Sequence, residues 1–195
     1  MDLPGLGLLD ATVERQGMKA PALFAIGLLA LSACGKKETR TASQVESSTL
    51  RARMAAQQAA RDHVRDAAGN YLEAMKDAAL ARRGVMVRRK LVETSSRLPL
   101  GTPEGLDVKD EEQKYAEQAA CAIQARDAFD QAIAAYDQAA IPGTPPLPDY
   151  RSKLSAYDAE LAAGLELMES GREDVVEGWY GLIHKTFEEV TKSES

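Results

Sequence analysis

Four carboxylates, Asp62, Asp66, Glu73 and Asp77, are spaced so that a helix would hold them within about 60° of one another. Such a stripe offers the hard oxygen ligands that a cation such as Ca²⁺ prefers. Arg65 follows Asp62 by three and Lys76 follows Glu73 by three, which is ordinary ion-pair spacing on a helix surface. Neither a Glu-x-x-His pair nor a calcium-loop glycine accompanies the acids, so the stripe reads as a solvated face and no metal is expected. The two histidines, His63 and His184, lie off the apolar seams of their own segments and read as surface residues. The sequence contains no His-Glu-x-x-His, Gly-x-Ser-x-Gly, Gly-x-x-x-x-Gly-Lys or Ser-x-x-Lys motif. An enzyme on this chain would have to build its acid–base chemistry mostly from carboxylates. The expectation is a protein that is not an enzyme, with no cofactor and no evident small-molecule substrate.

Arg82, Arg83, Arg88, Arg89 and Lys90 put five positive charges into nine residues. On a helix they point nearly all round, which makes the element mostly exposed. Residues 45–97 carry 11 basic and 6 acidic side chains, and residues 104–195 carry 8 and 20. One reading is that the basic helix packs against acidic helices with the charges paired along the edges. The other is a basic surface for a partner: lipid headgroups, lipopolysaccharide phosphates, peptidoglycan carboxylates or an acidic protein. The five residues are the candidate binding site on that second reading. A formal net charge of −6 over 195 residues argues against nucleic-acid binding, which needs a basic surface to neutralise phosphates.

Residues 18–34 have the anatomy of an export signal. Lys19 gives a positive start, Ala22 to Leu31 an apolar run, and Ser32-Ala33 the small residues before a cleavage point. The uncharged stretch from Ala20 to Cys34 is fifteen residues, short of the ~20 that span a bilayer. Leu31-Ser32-Ala33-Cys34 resembles the lipobox of bacterial lipoprotein precursors. That resemblance implies lipidation of Cys34, cleavage before it, and acylation of the new amino terminus. Gly35, in place of Asp, implies the periplasmic face of the outer membrane. Several acyl chains anchor stably where one would not, each buried CH₂ adding about 0.8 kcal/mol. Residues 1–17 carry Asp2, Asp10 and Glu14 against Arg15, the wrong sign for a signal start, and are expected to be a start-site misassignment. The expected division is therefore 1–17, a signal peptide over 18–33, a polar tether over 34–47, and a helical domain over 48–195. With Cys34 acylated, Cys121 has no intramolecular disulfide partner and reads as a small packing residue on the shoulder of its helix.

The elements that would position these groups are helices. Alanine supplies 33 residues and aromatics only 5%, a composition for packed helices rather than a β-sandwich. Val64, Ala68, Tyr71, Leu72, Met75 and Ala79 form one apolar face. Continued further, that phase would bury Arg82, Arg89 and Glu93, which predicts a kink or break near Gly84 and a separate short helix from Val85 to Ser96. A loop at 98–105 follows, and Asp107 is the expected cap of a second helix over 108–140. Its seam is Tyr115, Ala119, Ala122, Phe129, Ile133, Tyr136 and Ala140. The Pro142–Pro148 segment ends it, and Asp149 caps a third helix. There Tyr150, Leu154, Tyr157, Leu161, Leu165, Met168, Val175, Trp179, Leu182 and Thr186 keep one phase for some ten turns. Gly164, Gly171 and Gly178 flank that seam at heptad spacing, and close approach to the alanine-rich second helix is the favoured reason.

Taken together, the sequence predicts an all-α fold, an elongated antiparallel bundle of three long helices with the first broken near Gly84. The expected protein is an outer-membrane-anchored periplasmic lipoprotein acting as a non-catalytic scaffold or adaptor for another envelope protein. The competing expectation is an inhibitor or immunity-type lipoprotein that blocks a periplasmic hydrolase or toxin.

Overall fold

The computed structural model describes residues 42–97 and 107–192. The signal segment, Cys34 and the 98–105 loop lie outside the described residues. Helix α1 spans Ala42–Ser96, α2 Lys109–Ala139 and α3 Tyr150–Glu169. A single 3-10 turn at Glu173–Val175 leads into α4, Val176–Ile183, and α5 spans Phe187–Thr191. The described residues contain no strand, and the fold is an all-α helical bundle.

At 1.5 Å per residue the 55 residues of α1 run about 80 Å. Helix α2 runs antiparallel to it: Arg89 of α1 reaches Glu112 at 2.7 Å, while at the far end Gln57 donates to Thr144 Oγ1 at 2.6 Å. Helix α3 then runs parallel to α1, with Arg61 donating to Pro146 O near its start and Arg82 3.8 Å from Glu169 at its end. The core lies between these elements. Val64, Ala68, Leu72, Met75 and Ala79 of α1 face Phe129 and Tyr136 of α2 and Leu154, Tyr157, Leu161 and Leu165 of α3. Tyr71 stacks on Phe129 with ring centroids 6.2 Å apart.

The caps follow local chemistry. Asp149 accepts a hydrogen bond from the Ser152 amide at 3.1 Å and starts α3. At the start of α2 the N-cap position is Val108, with no side-chain cap bond, and not the expected Asp107, which lies one residue ahead and accepts from the Lys109 amide at 2.9 Å. Hydrogen bonds hold both carboxyl pKa values below the ordinary range, at Asp149 from the Ser152 hydroxyl first and its amide second, and at Asp107 from the Lys109 amide. Thr186 and Glu189 form a reciprocal capping box on α5.

Three further expectations are corrected. Helix α1 is one continuous helix through Gly84 to Ser96. What changes there is its neighbour: the buried face swings from Met75 and Ala79 to Ala81 and Val85. Arg89 and Glu93 thereby stay exposed without a break, and Arg82 is half-buried. The helix also begins at Ala42, inside the stretch read as tether, and every residue from Glu46 to Ala56 is exposed. The third correction concerns the long third helix, which stops at Glu169.

The chain reverses there through a Schellman arrangement. The Arg172 amide donates to Leu167 O at 3.0 Å, the Gly171 amide to Met168 O at 3.1 Å, and Gly171 has φ of +91°. Helix α4 then returns along α3, where Trp179 Nε1 donates to Leu161 O at 3.0 Å and Tyr157 to Leu182 O at 2.6 Å. Burial of the Tyr157 ring pushes its hydroxyl pKa up to about 12, with Glu73 and Glu160 adding to the shift. Two of the heptad glycines serve this reversal and not an approach to α2: Gly171 through its positive φ and Gly164 by making room for Trp179. A Cβ on Gly164 would lie 2.3 Å from Trp179 Cδ1, whereas Gly178 has open space around it.

Candidate functional site

The basic cluster is dispersed and paired. Arg82 is 3.8 Å from Glu169, and Lys90 is 2.6 Å from Glu173, both toward α3 and the turn after it. Arg83 lies over the Tyr180 ring, 4.7 Å from its centroid, and donates to the Tyr180 hydroxyl. Arg88 donates to Asp107 O at 2.9 Å and Arg89 to Glu112 at 2.7 Å, both toward α2. Five residues within a nine-residue stretch therefore point at two different flanks of α1, and each has a partner inside the molecule. The Lys90 bond draws the Glu173 carboxyl below its usual range.

The carboxylate stripe is a surface face. Asp62 accepts from Gln58 at 2.9 Å and Glu73 pairs with Lys76 at 2.8 Å, while Arg65 turns to Glu188 at 3.4 Å rather than to Asp62. Among the described residues no three His, Cys, Asp or Glu side chains converge on a point where a metal ion would sit. His63 and His184 are both exposed. Cys121 is exposed as well, contrary to the packing role expected of it. The half-buried side of α2 at that level is formed by Gln118, Ala119, Ala122 and Ala125, and Cys121 lies at its solvent edge.

One polar constellation was not legible from the sequence. Helices α2 and α3 are joined by the Arg151–Asp130 pair at 2.6 Å near the Pro-rich loop and otherwise share few contacts. Away from that end a cleft of about 230 Å³ opens between α1, α2 and α3. Its depth is apolar, made by Met75, Ala79, Leu161 and Leu165, each buried. At its mouth stand Tyr71, Tyr115, Arg82, Arg126 and Asp158, with Arg82 drawn toward Glu169 at 3.8 Å. Ala78, Ala122 and Ala162 leave the space that larger side chains would fill.

The charges at this mouth are weakly engaged. Among the described residues Arg126 has only its sequence neighbour Asp127, at 3.8 Å. Among the described residues no hydrogen bond or ion pair engages the Asp158 carboxylate. Asp158 is exposed by total area, yet the cleft walls dehydrate its carboxyl group enough to raise its pKa, with Arg126 opposing the shift. The Tyr71 hydroxyl is likewise raised, first by burial and then by the negative charge of Asp158. The arrangement can bind charge and apolar surface together. It holds one carboxylate of raised pKa, that of Asp158.

Comparison of the chain with protein-family models, with curated proteins and with solved structures gave no match in any of the three. No helix among the described residues is long and apolar enough to cross a membrane. The class that the fold defines is an all-α helical bundle.

Proposed function

We propose that the protein is a lipoprotein of the bacterial envelope, anchored through Cys34 on the periplasmic face of the outer membrane, and that its bundle is a non-catalytic scaffold or adaptor for another envelope protein. The observation that carries the reading is the apolar signal ending in Leu31-Ser32-Ala33-Cys34 ahead of a helical domain. Apolar side chains left outside the bundle lend support. Leu80, Val87 and Leu91 are 38–48% exposed and share one stripe of α1 at helical spacing, and Leu50 and Met54 are exposed on its first turns.

The inhibitor reading has its own support. With all five cluster residues paired internally, the uncompensated surface charge is the acidic excess of α2 and the segments after it. An acidic face suits a basic enzyme cleft. Crosslinking in cells followed by capture of the tagged protein, with Cys34→Ala as the unanchored control, separates the two. Envelope-assembly proteins that are lost in the control support the adaptor. A single stoichiometric hydrolase or toxin supports the inhibitor, and no partner in either form contradicts both.

A further inference from the structure

Arg126 and Asp158 carry opposite charges, line the same cleft, and do not pair with each other. Among the described residues neither has a good partner of its own, although a bidentate Arg–carboxylate contact would be the strongest pairing open to either. Below them lie Met75, Leu161 and Leu165, buried and apolar. Arg82 lines the cleft as well but is drawn to Glu169, which leaves the loosely held Arg126 and the unpaired Asp158 over an apolar floor, complementary to a molecule with an ammonium, a carboxylate and an apolar side chain. The space of about 230 Å³ is below the ~300–1,000 Å³ of sites for drug-sized ligands, so the occupant is small. A purely anionic ligand would face Asp158, and a purely cationic one Arg126.

We propose that this cleft binds a free amino acid with an apolar side chain, or the zwitterionic equivalent in a very short peptide. Arg126 takes the carboxylate, Asp158 the ammonium, and the side chain enters between Met75, Leu161 and Leu165. Tyr71 and Tyr115 supply hydroxyls at the mouth that have no hydrogen-bond partner among the described residues. The ligand's ammonium gives Asp158 a closer counter-charge than Arg126, which acts on it without forming an ion pair. The raised pKa of that carboxyl then falls, and the apparent affinity improves as pH rises through its titration. The proposal is independent of the lipoprotein reading.

The test is calorimetric titration of the full-length protein with leucine, methionine, valine and phenylalanine, and with the N-acetyl and amide forms of whichever binds. Saturable binding is expected for at least one free amino acid, with loss of tenfold or more in affinity for each derivative. Arg126→Gln should erase the difference between the free acid and its amide, and Asp158→Asn the difference between the free amine and its N-acetyl form. A variant that merely disturbed the fold would weaken all forms alike, and helix content by circular dichroism checks this separately. Ala122→Leu, which fills the cleft without touching either charge, should abolish binding. Absence of saturable heat with all four amino acids would overturn the proposal. So would equal binding of the free and derivatised forms. If none binds and the same variants lose a crosslinked protein partner, the cleft is a protein-docking groove instead.

Discussion

Along the flank that α1 shares with α3 and α4, Leu154, Leu161, Leu165 and Trp179 are at most 2% exposed. Along α2, no residue from Lys109 to Ala128 is buried, and only Phe129, Ala132 and Tyr136 beyond it are. The difference comes from side-chain size. The α3–α4 hairpin interlocks leucines with one tryptophan seated in the gap over Gly164. The first half of α2 offers alanines, held to α1 by ion pairs such as Arg89–Glu112. Exposed pairs of that kind contribute at most about 1 kcal/mol each, whereas one large buried side chain contributes several times more. Stability is therefore concentrated on one flank, and the open cleft lies along the other.

Substitutions on the closed flank should show the largest effects. Trp179→Ala removes a buried ring and its hydrogen bond to Leu161 O, and should destabilise the bundle by about 3–5 kcal/mol in urea denaturation. Gly164→Ala should cost about 1–3 kcal/mol, because the new methyl group displaces the indole, in spite of a helix-propensity gain of about 1 kcal/mol. A neutral or stabilising result would show that Trp179 is not seated as described, and a fluorescence shift of this single tryptophan reports the displacement directly.

On the open flank the expected effects are smaller, and one has the opposite sign. The folded pKa of Asp158 is raised, so the native state binds its proton more tightly than the unfolded chain does. Its charged form therefore costs stability above the folded pKa, and the cost disappears below the unfolded value of about 3.9. Asp158→Asn should raise the urea midpoint at neutral pH and match the parent protein at acidic pH. A variant that gains stability while losing the zwitterion is what a binding residue held in an unfavourable setting produces. The smallest effect belongs to Arg89→Ala, at about 0–1 kcal/mol, and salt should reduce it further. A larger loss would mean that the ion pairs, and not the α3–α4 packing, hold the bundle.

The same contrast accounts for what the sequence could disclose. The seam of α1 from Val64 to Ala79, the Asp149 cap and the limits of α2 were all legible, because each rests on local periodicity or a local hydrogen bond. The reversal after Glu169 was not. Val175, Trp179 and Leu182 stay in phase with Leu161 and Leu165, and an apolar phase has the same period whether the helix continues or doubles back. Ser170-Gly171 carried the signal, but a glycine repeat at 164, 171 and 178 pointed to a regular helix–helix contact instead. The cleft was hidden for a different reason. Ala78, Ala122 and Ala162 look like packing positions in one dimension, and only the separation of α2 from α3 turns them into a space. The pairing of the basic cluster with acidic helices was one of the two readings open from charge counts, and the positions of Glu112, Glu169 and Glu173 supply its geometry.

The most direct test of the proposed function is the intact mass of the protein extracted from cell membranes. The account predicts a chain beginning at Cys34, heavier than its sequence by the mass of its acyl groups, and an unprocessed soluble product for Cys34→Ala. A membrane-free chain that retains residues 18–33 and an unmodified Cys34 would contradict it, leaving the bundle and its cleft to be explained without an anchor.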